Sequence, residues 1–144
     1  MKHVSILFRS KCWNVFLLLC IALPSLAQKE FKIDQVSVVN VGDGRFLYRD
    51  LMTEKPLNGE HRIIDGYHSA YILASFKDGF YDGKYEEHLD NILINEGVYK
   101  DGRKNGLFKI YSKFDGKLKE EKSYKEGKLN GTSKTFFTDG KIES

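Results

Sequence analysis

The feature that most limits this chain is glycine placed at short, regular intervals. Between Gly42 and Gly140 the longest glycine-free run is residues 45–58, and Pro56 interrupts it. No long helix fits that spacing, because glycine weakens a helix interior and proline breaks it. The glycines also recur in a fixed context. Phe76-Lys77-Asp78-Gly79 is followed by Phe80-Tyr81-Asp82-Gly83, Tyr99-Lys100-Asp101-Gly102 by Arg103-Lys104-Asn105-Gly106, and Tyr124-Lys125-Glu126-Gly127 by Lys128-Leu129-Asn130-Gly131. The pattern is aromatic, Lys, acid, Gly, two variable residues, Asp or Asn, then Gly. Its aromatic positions lie 23 and 25 residues apart, and Leu57-Asn58-Gly59 is a worn fourth copy. Self-similarity at such a period marks stacked supersecondary units that share one apolar surface.

A second turn signal lies between these units, at Asp65-Gly66, Asp90-Asn91, Asp115-Gly116 and Asp139-Gly140. Such dipeptides favour tight hairpins, where both central residues take positive φ. Each period therefore holds two short strands, supplied by Ile63-Ile64, Tyr71-Ile72-Leu73, Ile92-Leu93-Ile94, Phe108, Ile110-Tyr111 and Phe136-Phe137. Residues 117–125 put Leu118, Glu120, Lys122 and Tyr124 on one face and only Lys117, Lys119, Glu121, Ser123 and Lys125 on the other. A strand wet on one face and half wet on the other belongs to a single layer. The expected fold is all-β: an elongated single-layer antiparallel meander of repeated β-hairpins. It comprises about 3.5 copies over residues 56–144, with N-terminal strands over 28–55 leading into the array.

Residues 1–27 are of another kind. They hold Lys2, Arg9 and Lys11 and no acid, then the uncharged run Val15-Phe16-Leu17-Leu18-Leu19-Cys20-Ile21-Ala22-Leu23, then Pro24 and Ser25-Leu26-Ala27. This is the plan of a secretory signal peptide cut after Ala27. A run of nine is far below the roughly 20 apolar residues of a membrane span. Lipidation at Cys20 is the alternative, disfavoured by the bulky Leu19 before it. Export to the periplasm or medium is the expected localisation. Both cysteines, Cys12 and Cys20, fall in this segment, so the body has no disulfide. The body carries 20 basic and 20 acidic residues, which gives no electrostatic reason to bind nucleic acid.

Chemical motifs are absent: no phosphate loop, nucleophile elbow or zinc-protease helix occurs, and the expectation is a non-enzyme without cofactor or metal. A two-residue turn at Asp65-Gly66 would bring His61 diagonally opposite His68, but two imidazoles do not complete a metal site, and His88 stands apart. Phe76, Tyr99 and Tyr124 should stack in a packed column, with Gly79, Gly83, Gly102, Gly106, Gly127 and Gly131 as the turn glycines of the repeat. Tyr81, Tyr85, Tyr111, Phe114 and Phe137 are off that register. Of these, Tyr85, Tyr111 and Phe137 are the expected exposed anchors for a partner.

Over residues 96–141 the chain resembles the bacterial variant MORN repeat (MORN_2 type), as grouped in the YwqK-family antitoxins. Residues 106–109, Asp115-Gly116-Lys117-Leu118 and residues 124–131 carry the likeness. Residues 57–95 fit loosely, since Ala70 to Ser75 replace a polar stretch. The resemblance implies a scaffold that binds a protein partner through a sheet face, with an immunity protein against a toxin as its specific form. A structural envelope protein that contacts glycan is the second reading.

Overall fold

The computed structural model describes residues 29–137 and 139–143. The expected signal peptide and its cleavage site lie outside them. Among the described residues eleven strands follow in chain order: β1 (Lys29–Lys32), β2 (Val36–Gly42), β3 (Arg45–Asp50), β4 (Gly59–Asp65), β5 (Ala70–Lys77), β6 (Phe80–Leu89), β7 (Ile92–Lys100), β8 (Arg103–Lys104), β9 (Gly106–Tyr111), β10 (Leu118–Lys125) and β11 (Lys128–Thr135). One short 3-10 turn, Ile33–Gln35, joins β1 to β2. The main sheet runs β1-β4-β5-β6-β7-β9-β10-β11, with β8 also on β7. From β4 onward it is an antiparallel sheet of consecutive strands, as expected; β1 adds a parallel edge beside β4.

The turns explain this order. Lys77 faces Phe80, Leu89 faces Ile92, Lys100 faces Arg103 and Lys125 faces Lys128, each pair closing a two-residue turn. The central residues Asp78-Gly79, Asp90-Asn91, Asp101-Gly102 and Glu126-Gly127 all have φ between 49° and 83°. That is the type I′ geometry, whose twist matches paired strands. The following glycines, Gly83, Gly106 and Gly131, take φ of 116°, 94° and 103°. They sit in bulges, where one residue of the preceding strand (Ser75, Val98 or Ser123) spans three of the next.

The bulge of one unit holds the turn of the next. Gly79 N–H donates to Leu57 O at 2.9 Å, Gly102 N–H to Tyr81 O at 2.8 Å and Gly127 N–H to Lys104 O at 2.9 Å. Asn58 and Asp82 add side-chain acceptors for the amides of Asp78 (2.8 Å) and Asp101 (3.3 Å). The Asp or Asn of the pattern thus follows a carbonyl that anchors a turn more than twenty residues later.

The other turn dipeptides behave differently. Asp65 pairs with Ala70, so residues 66–69 form a four-residue turn, not the expected two-residue one. The Asp65 carboxylate causes this by accepting from Tyr67 N–H at 3.0 Å and holding the His68 ring at 2.7 Å. Residues 112–117 make a longer loop, closed by Ser112 N–H to Lys117 O at 2.8 Å.

The N-terminal strands depart from the expected single layer. β2 and β3 form a separate two-stranded sheet, and β3 packs on β6. Tyr48 N–H donates to Gly79 O at 2.8 Å, and its ring meets Phe76 and Tyr81 at 5.3 and 4.7 Å. A local second layer results, with Phe31, Val36, Leu57, Ile63, Ala74, Phe76 and Tyr81 as its buried core. Tyr48 supplies an apolar ring that a thin sheet cannot supply from its own face.

Candidate binding surface

Alternation assigns the two faces of the main sheet. One carries a row of rings, with every strand from β4 to β10 except the short β8 contributing: His61, Phe76, Tyr81 and Tyr85, Tyr99, Phe108 and Tyr124. Neighbouring centroids lie 5.0–5.8 Å apart, and Phe31 of β1 extends the row beyond His61 at 5.4 Å. Phe76, Tyr99 and Tyr124 do share this row, but Tyr81, Tyr85 and Phe108 lie between them. Consecutive strands are only about 4.8 Å apart, so a ring from each intervening strand fills the gap. Tyr85 is therefore not the exposed anchor expected of it. It is half-buried between Tyr81 and Tyr99, and its hydroxyl donates to Glu87 Oε2 at 3.3 Å. Burial, more than the Glu87 charge, raises its pKa. Tyr99 is pushed up to about 12 for the same leading reason.

Cations lie over the row at both ends: Lys29 Nζ is 4.3 Å from the Phe31 ring centroid. Lys104 lies over the Phe108 ring at 4.7 Å and the Tyr124 ring at 5.2 Å, and burial lowers its pKa. Further along this face Glu87 accepts from Asn95 Nδ2 at 2.8 Å, and Lys122 pairs with Glu120.

The opposite face is a polar grid with apolar gaps. Lys84, Val98, Leu107 and Ser123 form one line across β6, β7, β9 and β10, and Glu86, Glu96, Lys109 and Glu121 form the next. Tyr111 belongs here, on the side opposite Tyr85. Its hydroxyl donates to Glu96 Oε1 at 2.6 Å, and the same oxygen holds Lys109 Nζ at 3.3 Å. Its pKa rises to about 12, through partial burial first and the Glu96 carboxylate second. Val98 and Leu107, beside this polar line, stay 47% and 45% exposed. Phe137 is half-exposed but lies beyond β11, where its N–H donates to Lys141 O at 2.9 Å. The three expected anchors thus do not share one face.

The histidines separate too. His61 is buried, with Nε2 donating to Asn58 O at 2.9 Å, whereas His68 sits in the turn on Asp65. His88 stacks on Tyr71 at 4.4 Å and bonds Glu86 at 3.2 Å. Among the described residues no three His, Cys, Asp or Glu side chains converge as a metal ion would require, and no helix is long and apolar enough to cross a membrane. Val98 and Leu107 were not legible as surface residues. They alternate with Tyr99 and Phe108 and so face away from the ring row, on a side where they stay exposed. Compared with known proteins, the chain matches no family model and no curated protein.

Proposed function

We propose that this is an exported, non-enzymatic binding protein, a MORN-like array of hairpins that presents its polar sheet face to a protein partner. The supporting observation is Tyr111, fixed by Glu96 and Lys109 beside two exposed aliphatic residues. A ring and a carboxylate already held in place lose little freedom on binding, and tyrosine at the centre of such a patch is the usual source of affinity. The aromatic row on the other face favours a protein over a glycan, because Phe108 meets both Tyr99 and Tyr124 edge-on, at 87° and 80°. Rings packed that way offer a sugar no continuous flat platform. An immunity protein against a toxin is the specific form that the resemblance implies.

Affinity capture from the native cell envelope tests the reading, with wild type and Tyr111→Ala as baits. A partner retained by wild type should bind Tyr111→Ala more weakly by about 2 kcal/mol, with little change in melting temperature. Equal capture by both baits refutes this face. The intact mass of the native protein tests export: a chain beginning at Gln28 agrees with it, and one retaining residues 1–27 does not.

A further inference from the structure

Among the described residues the two sheets leave three free edges: β1 and β11 in the main sheet and β2 in the hairpin sheet. Soluble proteins blunt such edges with shortness, charge or a covering segment. Two of the three are treated in that way. β1 has four residues, of which Lys29, Glu30 and Lys32 are charged. β11 carries Lys128, Lys134 and the Gly131 bulge, and the chain folds back on its end through Glu143 N–H to Thr135 O at 2.7 Å. β2 has no charge and no covering segment among the described residues, and its one device is a bulge between Asn40 and Gly42, near its end. Val36-Ser37-Val38-Val39-Asn40-Val41-Gly42 contains no charge and no proline. Val38, Val39 and Val41 are 44, 47 and 42% exposed, on both sides of the strand, and Phe46 of β3 extends the patch. The other edge of the hairpin sheet is occupied, since Tyr48 N–H reaches Gly79 O and Leu57 N–H reaches Tyr48 O.

From this contrast we infer that β2 pairs with β2 of a second copy, joining two hairpin sheets into one four-stranded sheet. Charge selects this occupant. Antiparallel self-pairing sets a strand against itself, so any charged residue near its centre would face a like charge. β2 is the one free edge among the described residues that carries no charge. Centred on Val39, the pairing would set Val39 against its own copy and Val38 against Asn40, with a β-branched pair at the centre that suits cross-strand contact. The five residues before the bulge give about 16 Å of regular strand, enough for a short ladder. The interface lies on the hairpin sheet, away from the Tyr111 face, so it does not depend on the partner reading.

Sedimentation equilibrium of the protein purified from its native host tests this across the micromolar range. Wild type should show twice the chain mass. Val39→Lys and, as a second variant, Val41→Glu should halve it while the circular dichroism spectrum stays unchanged, whereas Leu129→Lys on β11 should leave it doubled. The amides of Val38 and Asn40, which point away from β3, should be protected from hydrogen exchange in the dimer and exposed in Val39→Lys. A monomeric wild type, a dimer that survives both β2 variants, or free exchange of those two amides within a dimer each overturns the inference.

Discussion

Gly97 shows how one residue can be needed for space alone. A Cβ there would stand 2.7 Å from three carbons of the Phe108 ring, itself buried on the neighbouring strand. Gly106 is needed for the opposite reason: its φ is 94°, yet nothing lies within 4 Å of the added carbon. Gly97→Ala should cost about 1–3 kcal/mol through overpacking, and Gly106→Ala about 1–2 kcal/mol through backbone strain. Phe108→Leu should recover part of the first loss and none of the second in thermal melts of the double variants. His61 adds a pH dependence. Burial holds its pKa below the ordinary 6.5, so the unfolded chain binds the proton more readily. Its contribution is complete above the unfolded pKa and is lost as pH falls below it. The melting temperature should drop from about pH 7.5 to about pH 5.5, before Asp50, Asp65, Glu86 and Asp115, all held below the ordinary carboxylate range, begin to titrate. His61→Gln should flatten that slope.

At the scale of elements, the type I′ turns set the strand order. Three of them have Asp at the first central position, but the last has Glu126, at φ 52°. Asn and Asp tolerate this region because their short side chains bond locally, and the longer glutamate side chain does not close that bond. Glu126→Asn should therefore stabilise the protein by about 0.5 kcal/mol, read as a higher denaturation midpoint. The acid-glycine and lysine-aromatic spacing made these turns legible. The Asp65-Gly66 turn was misread because dipeptide chemistry alone does not reveal that the aspartate side chain bonds two residues ahead and stretches the loop to four. The His61–His68 apposition rested on that turn and disappears with it.

Over the whole molecule the core is lopsided. The buried cluster draws on residues 31–81, where β3 covers β5 and β6, while β11 is exposed over most of its length. Opening free energy follows local burial. Native-state hydrogen exchange should therefore show β5 and β6 most protected and β11 least, with β10 between them. Uniform protection from β4 to β11 would mean that the sheet opens as one unit and that the β2–β3 layer adds nothing local.

Residue order alone determined the all-β class, the antiparallel succession from β4 onward and the positions of positive φ at Gly79, Gly102 and Gly127. Those depend on near-neighbour chemistry: which residues accept a left-handed turn, and how many residues separate one turn from the next. The placement of the β2–β3 hairpin, the admission of Tyr85 into the ring row and the exposure of Val98 and Leu107 came only with tertiary structure. The first two depend on where a strand lies relative to one far along the chain, the third on which face stays exposed. A two-residue bulge shift decides that register through hydrogen bonds between units, such as Gly102 N–H to Tyr81 O, which no local pattern encodes.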